Sequence, residues 1–365
     1  GSEMCIRHRL EKARQAIDRI DGEMARLFQA RMEAVAQVAA YKAEQGLPIL
    51  DGAREAQVLE RNLDRLPPGH PLRAYYRDFL QYNMALSRQY QAGLLGRDTV
   101  AYQGVPGAFS HIALSRLFPH ARALACPTFE GVFAAVQAGQ AAHGVLPFEN
   151  SQAGDVAETL DLCMANPGCY VQRMYDLPVT QNLLGLPGAA LGDIRRVLSH
   201  PQALGQCREF LLRLGLEGEP RANTAIAAQE VAGTGDLTLG AIASRETAAL
   251  YGLQVLCPDI SRERDNTTRF MVIGKEPPQM GNRFSLLFTI PHVAGALAQV
   301  VETIGKQGYN MESIKSRPLP HTAWEYYFYT ELVGAPGPAL LEALRAQCSS
   351  LRLLGRYERE DGHAH

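Results

Sequence analysis

The chain has 365 residues, of which 46% are hydrophobic and 20% are charged, and its formal net charge at pH 7 is −2. This length predicts two or three domains, each able to bury its own hydrophobic core. The near-neutral charge argues against binding to nucleic acid or to an anionic membrane. We find no secretion signal and no apolar run of membrane-spanning length, so we expect a soluble, cytoplasmic protein.

Seven cysteines are scattered along the chain without a C-x-x-C pair. This pattern favours reduced thiols over a disulfide framework. Cys163 and Cys169 are the closest pair, and their spacing alone is weak support for a metal site. We therefore expect no metal.

Residues 8–45 predict one long amphipathic helix, because apolar residues recur there at steps of three and four. Three cations, Arg14, Arg31 and Lys42, follow the same stepping. A single long cationic side chain on an apolar stripe usually extends its charged end into solvent. Three of them on one stripe instead favour an anionic ligand or an acidic partner helix, because a desolvated cation needs a nearby anion.

The length of this helix predicts an oligomer. Arg14 and Arg31 would lie about 25 Å apart along an α-helix, so one small ligand cannot contact both in the same chain. A partner chain packed antiparallel would bring its own Arg14 to the end that carries Arg31 and Lys42. We therefore expect a homodimer or a higher homo-oligomer with shared sites.

Two shorter helices are predicted to follow. The first begins at Asp51, a plausible N-cap, with Arg54 and Glu55 in its first turn. The second carries Ser87 and Gln91 one turn apart. Taken alone, Ser87 and Gln91 are typical of a solvated helix face.

In order and spacing, residues 7–95 resemble the all-helical chorismate mutase family. The resemblance implies that eight residues bind the substrate or act on it: Arg14 (from the partner chain), Arg31, Lys42, Asp51, Arg54, Glu55, Ser87 and Gln91. The family's rearrangement of chorismate to prephenate needs no nucleophile, proton carrier or cofactor. Arginines would hold the two substrate carboxylates, and Lys42 and Gln91 would donate to the ether oxygen as the C–O bond breaks. Glu55 would accept from the ring hydroxyl. Gln91 has no proton to lose, so the site should not need acid pH.

After Gly93 and Gly96, which mark a linker, strand and helix patterns alternate and predict an α/β sheet with its loops at one end. A glycine-rich turn at residues 104–111 precedes a predicted helix. Its spacing matches neither a Walker loop nor G-x-G-x-x-G, so we disfavour nucleotide binding.

Four polar segments interrupt the α/β pattern, at residues 147–154, 199–202, 223–225 and 265–270. Each alone predicts only a turn or a helix cap. Together and in this order they resemble prephenate dehydratase over about residues 98–275. The most diagnostic part is Thr268-Arg269-Phe270. Under this interpretation the product of the first domain is the substrate of the second.

The dehydratase resemblance implies two α/β lobes around a cleft, similar to periplasmic solute-binding proteins. Thr268 would give a hydrogen bond or a proton to the departing hydroxyl, with Glu149 or water completing the relay. Other substrate contacts would come from Ser110, Asn150, Ser151, Gly154, Thr224 and Arg269. Arg269 has two open roles, pairing with a substrate carboxylate or bracing the cleft. Gln181 stands where the family often has a histidine, so we assign no histidine acid there.

A third pattern begins after Pro277-Pro278. Its βαββαβ order is ferredoxin-like and resembles the ACT domain, which implies L-phenylalanine as an effector at a dimer interface. The implied effector residues are Gly295, Ala296, Leu297, Ser316, Arg317 and Pro318. Lys315 stands where the family has an acid. Strand alternation places it on the face opposite Ile314 and Ser316, so it could miss the ligand and alter an interface instead.

These observations predict an all-α chorismate mutase domain at residues 4–96, an α/β two-lobed, periplasmic-binding-protein-like dehydratase domain at 97–276 and an α+β ferredoxin-like ACT domain at 277–365. The preferred function is a bifunctional enzyme that turns chorismate into phenylpyruvate under phenylalanine control, with no cofactor. One alternative is a prephenate decarboxylase that keeps the hydroxyl, which the intact Thr268-Arg269-Phe270 disfavours. The other is a solute-binding or sensor protein, which the missing secretion signal and the complete mutase residue set disfavour.

Overall fold

The computed structural model describes residues 2–95, 98–262, 265–278, 280–319, 322 and 324–362. The chain forms two compact units, Gly1–Asp98 and Thr99–His365. Gly96, one of the two glycines predicted to form a linker, lies outside the described residues.

The first unit consists of three helices: α1 (Ser2–Glu44), α2 (Gly52–Leu63) and α3 (Arg73–Leu94). Helices α1 and α2 each pack against α3. Asp51 caps α2 as predicted, since its side chain accepts a hydrogen bond of 2.9 Å from the Arg54 backbone nitrogen. At 1.5 Å per residue, α1 is about 65 Å long, which is far more than two short helices can cover.

Much of the apolar stripe of α1 therefore stays exposed within its own chain. The exposed large apolar residues of this helix include Ile17, Ile20, Met24, Leu27, Phe28, Val38 and Tyr41. Exposed apolar surface of this extent is typical of a protein interface.

The second unit begins with an α/β lobe. Its helices are α4 (Phe109–Leu117), α5 (Phe129–Gln137) and α6 (Ala157–Ala165). Its strands are β1 (Val100–Gln103), β2 (Ala123–Cys126), β3 (His143–Asn150), β4 (Gly154–Asp155) and β5 (Tyr170–Pro178). The lobe is completed by a strand from much later in the chain, β11 (Thr267–Gly274), which lies antiparallel between β3 and β5.

A second lobe is inserted between β5 and β11. Its strands are β6 (Asn182–Gly185), β7 (Arg196–Ser199), β8 (Glu217–Pro220), β9 (Leu239–Ala243) and β10 (Gln254–Cys257), in the sheet order β10-β6-β9-β7-β8. Its helices are the 3-10 turn Leu191–Asp193, α7 (Pro201–Gln206), α8 (Arg208–Leu214), α9 (Thr224–Thr234) and α10 (Arg245–Tyr251). The chain thus crosses between the sheets twice, as expected for two lobes.

The C-terminal region follows the predicted βαββαβ order: β12 (Arg283–Thr289), α11 (Ala296–Lys306), β13 (Met311–Pro318), β14 (Tyr326–Val333), α12 (Pro338–Gln347) and β15 (Ser350–Asp361). Its strands pair antiparallel in the order β13-β14-β12-β15. This confirms the ferredoxin-like arrangement.

The sequence did not predict that this region shares a sheet with the first lobe. Strand β15 continues beyond its pairing with β12, and its last residues, Glu358 to Asp361, pair parallel with β5. The join produces one sheet of ten strands. Side chains from both regions, among them Phe148 and Tyr329, pack in one hydrophobic core.

Six cysteines of the described chain are free thiols, and Cys163 and Cys169 are buried. Burial raises the pKa of Cys163 to about 12, with Arg352 opposing the effect, so this thiol is a poor metal ligand at neutral pH. None of the helices in the described part of the chain has the length and apolar character of a membrane-spanning segment.

Candidate active sites

In the helical unit, α1 and α3 bring three of the predicted residues together. The Arg31 guanidinium donates to the Ser87 hydroxyl, which in turn donates to the Asn83 carbonyl at 2.7 Å. The Gln91 side-chain nitrogen donates to the Ser87 carbonyl at 3.3 Å. Ser87 is 6% exposed and Gln91 is 7% exposed, so the pair is buried rather than part of a solvated face.

Burial gives this cluster its character. It lowers the pKa of Arg31, although an arginine stays charged at any physiological pH. Among the described residues, Gln91 Oε1 and Asn83 Oδ1 are buried without a hydrogen-bond partner. Such an atom costs about 1–3 kcal/mol and is satisfied by a hydrogen-bond donor, whereas the partly desolvated Arg31 guanidinium is satisfied by an anion. The cluster therefore suits a ligand that carries both a hydroxyl group and a carboxylate.

The other predicted mutase residues have different surroundings. Lys42 donates to the Ile49 carbonyl. Glu55 is held by Arg88, whose Nη1 lies 2.6 Å from Glu55 Oε1. Arg14 and Arg54 are exposed. Sequence reasoning missed Arg88, which stands one residue after Ser87 on α3, because nothing in its local pattern distinguishes it from a solvated arginine.

In the second unit, β3 and β11 bring Asn150 opposite Thr268. The Asn150 amide nitrogen donates to Thr268 Oγ1 at 2.9 Å and to Asn266 Oδ1 at 2.7 Å. The Ser151 hydroxyl accepts from the Thr267 backbone nitrogen at 3.0 Å and donates to the Asp265 carbonyl at 3.0 Å. Because Thr268 Oγ1 accepts from the amide, its own hydrogen is available for a further acceptor.

Arg269 points to the other face of the sheet. Its neighbours Phe270 and Met271 belong to two different cores, and alternation puts Arg269 with Met271 and Thr268 with Phe270. The Arg269 guanidinium donates two hydrogen bonds to the Asp176 carboxylate, from Nε to Oδ1 at 2.7 Å and from Nη2 to Oδ2 at 3.0 Å. Two roles were left open for Arg269, pairing with a substrate carboxylate and bracing the cleft. Its pairing with Asp176 supports the second.

Charge pairing explains how these groups remain ionised while partly buried. Burial alone would raise the pKa of Asp176, but Arg269 and Arg359 outweigh it and hold that pKa below its usual value. Burial likewise opposes the charge of Arg269, but Asp176 keeps its pKa raised. Arg359 lies on β15, so this brace also ties the first lobe to the C-terminal region.

The structure contradicts a direct relay between Glu149 and Thr268. The Glu149 carboxylate contacts Lys315 Nζ at 2.8 Å and Arg269 Nη1 at 3.4 Å. A β-bulge causes this placement, since Arg269 pairs with Glu149 but Phe270 pairs with Pro147. Glu149 is thereby aligned with Arg269, on the face away from Thr268. The other predicted partner of Thr268 in the relay, water, stays a prediction.

The remaining predicted dehydratase residues sit at element ends. Ser110 is buried in the first turn of α4, and Thr224 is buried at the start of α9 behind the N-cap Asn223. Gly154 pairs with Asn150 and has a φ of 81°, a left-handed conformation that favours glycine. A small cavity of about 270 Å³ lies beside α4 and is lined by residues that include Phe109, Ile112, Leu177, Pro178 and Thr180.

A chain of side-chain amides extends from this site into the second lobe. Asn266, which accepts from Asn150, donates to Gln206 Oε1 at 3.4 Å. Gln206 donates to Gln152 at 2.8 Å, and Gln181 donates to Gln206 at 3.4 Å. Gln181 was singled out from the sequence as the replacement for a histidine. Sequence reasoning missed Gln206, because its partners are 25 to 60 positions away.

In the C-terminal region, an open cavity of about 910 Å³ lies at the start of α11. Gly295, Ala296 and Leu297 line it, together with Tyr326 and Phe328. Gly295 caps α11 with a φ of 84°, which a side chain would disfavour. Three of the six predicted effector residues therefore border one cavity.

The other three effector residues lie on β13, and the structure corrects one of them. Arg317 forms a bidentate pair with Asp161 of α6, at 2.6 Å between Nη2 and Oδ2, so it faces the first lobe. Ser316 and Pro318 are exposed on the opposite face of β13. Successive side chains of a strand point to opposite faces, so the Arg317 side chain does not lie beside that of Ser316. Arg317 instead links the C-terminal region to the first lobe.

The chain matches two family models. The model for chorismate mutase type II matches residues 13–92, and the model for prephenate dehydratase matches residues 100–278. A bifunctional chorismate mutase/prephenate dehydratase from Neisseria gonorrhoeae is 33% identical over 94% of this chain and 95% of its own length. An arogenate dehydratase/prephenate dehydratase of Arabidopsis thaliana is 37% identical over 60% of this chain, which spans 57% of that relative's length.

Solved structures resemble the second unit. A prephenate dehydratase from Arthrobacter aurescens in complex with L-Phe is 27% identical, with a TM-score of 0.66, and covers 72% of this chain and 90% of its own. A protein described as a quorum-quenching acylase, GqqA, is 32% identical, with a TM-score of 0.65, and covers 71% of this chain and 96% of its own. A shared fold thus accompanies different activities.

Proposed function

We propose that this chain, which belongs to the bifunctional chorismate mutase/prephenate dehydratase family, converts chorismate into prephenate and then into phenylpyruvate. The observation that carries the proposal is that each compact unit holds the polar cluster its reaction needs. Arg31, Ser87 and Gln91 meet in the first unit, and Asn150 and Thr268 meet in the second.

For the first reaction, the protein must hold a dianion in its compact conformer and stabilise charge on the ether oxygen. Partly buried Arg31 is suited to a substrate carboxylate, because a charge pair is stronger where water is reduced. Lys42 and the Gln91 amide would donate to the ether oxygen as the C–O bond breaks, which favours the transition state over the ground state. Arg88 would keep Glu55 oriented for the ring hydroxyl.

For the second reaction, the bond between the ring and its carboxylate breaks, carbon dioxide leaves, and the electron pair enters the ring as the hydroxyl departs. Aromatisation drives this step, so the protein mainly has to assist the departing hydroxyl. The Thr268 hydroxyl, held by Asn150, is oriented to donate a hydrogen bond to it. Threonine is far too weak an acid to supply the proton. Thr268 would therefore only hydrogen-bond the oxygen as it leaves with the electron pair of its C–O bond, and the hydroxide would take up a proton from the bulk solvent to become water.

Two further features support a shared mutase site. The apolar stripe of α1 is exposed in its own chain, and Arg14 lies about 25 Å from Arg31 along the helix. An antiparallel partner would cover the stripe and bring the partner's Arg14 to Arg31. We include a homodimer, or a higher homo-oligomer built on it, in the proposal.

Feedback by L-phenylalanine is also part of the proposal. It is supported by the cavity at the start of α11 and by the L-Phe complex of the Arthrobacter relative. An amino-acid carboxylate suits a helix N-terminus, and Tyr326 and Phe328 offer an apolar wall for the phenyl ring. With its βαββαβ fold, the C-terminal region would then act as an ACT domain.

The test is to incubate the pure protein with chorismate and to follow prephenate and phenylpyruvate. We expect both to form, and added L-phenylalanine, with tyrosine as comparison, to slow phenylpyruvate formation more than prephenate formation. A product that keeps the hydroxyl after carbon dioxide is lost would support a prephenate decarboxylase instead. No turnover of added prephenate would contradict the dehydratase assignment.

A further inference from the structure

Lys315 belongs to β13 of the C-terminal region, but its side chain ends in the first lobe. The side chain is 9% exposed, and Nζ lies 2.8 Å from Glu149 Oε1. The same ammonium contacts the Asp155 carboxylate and lies 5.3 Å from the centre of the Phe148 ring. A lysine with so little exposure and two carboxylate partners is not an ordinary surface charge. Its ion pairs link β13 specifically to the first lobe.

The two carboxylates belong to one hairpin, residues 149–155, which joins β3 to β4. Glu149 pairs directly with Asp155, and Asn150 pairs with Gly154. Like charges directly opposite each other destabilise an antiparallel pair. Lys315 is the cation that contacts both, so it compensates the repulsion at the base of the hairpin.

The turn of the same hairpin carries the groups that orient Thr268. Asn150 donates to Thr268 Oγ1, and the Ser151 hydroxyl accepts from the Thr267 backbone nitrogen. The Asn150 side-chain oxygen also accepts from the backbone nitrogens of Gln152 and Ala153, at 3.1 Å and 2.8 Å. A shift at the base of this short hairpin would therefore move the amide that holds the Thr268 hydroxyl.

We infer that Lys315 is a positioning residue for the dehydratase reaction: it fixes the hairpin of residues 149–155 and thereby the Asn150–Thr268 pair. The inference rests on the proposed dehydratase function. It assigns the C-terminal region a part in basal turnover, separate from any effector. Lys315 acts through Glu149 and Asp155 and does not contact the reacting atoms.

The test compares full-length Lys315→Met and Lys315→Arg with the wild type. Wild-type turnover of prephenate, measured first, tests the proposed function independently. We expect Lys315→Met to lower dehydratase kcat by about tenfold to a hundredfold, the usual penalty of a small displacement near reacting groups. Mutase kcat should be unchanged, because its residues lie in the other compact unit. Lys315→Arg keeps the positive charge and should therefore retain most of the wild-type dehydratase kcat.

The matched control is Glu360→Gln. Glu360 is 45% exposed and pairs with Arg173 at 3.2 Å, across the join of β15 and β5 but away from the hairpin. Near-wild-type dehydratase kcat is expected for this variant. An equal loss in Glu360→Gln, or wild-type kcat and KM in folded Lys315→Met, would overturn the inference.

A second measurement addresses folding. Lys315→Met combined with Asp155→Asn removes the cation and one of the two opposed carboxylates together, so the repulsion at the hairpin base is relieved. Its dehydratase kcat should lie between that of Lys315→Met and that of the wild type. If Lys315→Met does not fold, the double variant is compared with the wild type directly, and a wild-type kcat would refute the positioning role.

Discussion

At the scale of single residues, the hydrogen-bond direction at Thr268 is the detail that matters most. The Asn150 amide nitrogen can only donate, so Thr268 Oγ1 accepts and its own hydrogen stays available for another acceptor, which in the proposed function is the departing hydroxyl. Arg269 differs from Thr268, because each of its three nitrogens already donates a hydrogen bond to Asp176 or Glu149. Within the diagnostic triplet, the proposed function thus uses Thr268 for chemistry and Arg269 for support.

We expect Thr268→Ala to abolish phenylpyruvate formation while prephenate still accumulates from chorismate, because only the dehydratase loses its hydroxyl. Thr268→Ser is the matched control, since it keeps the hydroxyl and should retain measurable dehydratase turnover. Product analysis from chorismate distinguishes the two. Loss of mutase turnover in folded Thr268→Ala would contradict separate sites.

Gln91 offers a second test at this scale. Its neutral amide can donate at any pH, whereas a carboxyl group there can donate only when protonated. We predict that Gln91→Glu lowers mutase kcat at neutral pH and that activity recovers as the pH falls, while the wild type shows no such recovery. A pH profile of mutase kcat decides this. Gln91→Ala should stay impaired at every pH.

At the scale of elements, strand β3 has candidate site residues at its last positions and a buried histidine at its first. Its last residues, Glu149 and Asn150, carry the bulge and the hairpin base, while His143 begins the strand and stacks on Phe118 with ring centres 5.2 Å apart. Burial, with a contribution from Arg173, lowers the pKa of His143 to about 4, and its Nδ1 is buried without a partner among the described residues.

This histidine should make the stability of the second unit depend on pH. An unfolded histidine titrates near pH 6.5, so below that value the unfolded chain binds a proton that the folded chain refuses. Stability from neutral His143 is thus fully present above about pH 6.5 and is lost as the pH falls toward its folded pKa of about 4. From this difference the loss is about 3 kcal/mol.

The test of this pH dependence is to compare the free energy of unfolding of the wild type and His143→Leu between about pH 7 and pH 4. This range roughly spans the unfolded and folded pKa values of the histidine. The variant should show the weaker pH dependence. His120→Asn, at an exposed histidine, should keep the wild-type dependence. Parallel curves for wild type and His143→Leu would contradict the assignment.

At the scale of the whole molecule, the proposed dimer places each mutase site across two chains. Arg14→Ala damages the contribution to the partner's site, whereas Lys42→Ala damages the chain's own site. Neither homodimer should have an intact site. A mixed dimer should contain one intact site, formed by the chain that keeps Lys42 and the partner that keeps Arg14.

We therefore expect mixing the two variants to restore mutase activity, up to about a quarter of the wild-type rate if subunits exchange at random and the proposed dimer is the unit. Mutase turnover before and after mixing is the measurement, with subunit exchange verified independently. No recovery despite exchange would exclude a shared site. Mixing Lys42→Ala with Gln91→Ala is the control, because both lesions lie in the chain's own site.

Local spacing in the sequence was sufficient for most elements of the fold. Steps of three and four, alternation and turn residues report which side of a segment is buried. The three helices of the first unit and the βαββαβ order of the C-terminal region were therefore predicted correctly. The two family resemblances also singled out Arg31, Ser87 and Gln91, which meet in the first unit, and Asn150 and Thr268, which are hydrogen-bonded in the second.

Only the tertiary structure decided which groups meet. Strand β15 pairs with β5, Arg269 pairs with Asp176, and Lys315 pairs with Glu149. Each of these contacts joins residues that are far apart in the chain. A one-residue bulge beside Phe148 aligned Glu149 with Arg269 instead of Thr268. Such outcomes depend on strand register and on charges supplied by distant elements, and local periodicity carries no information about either.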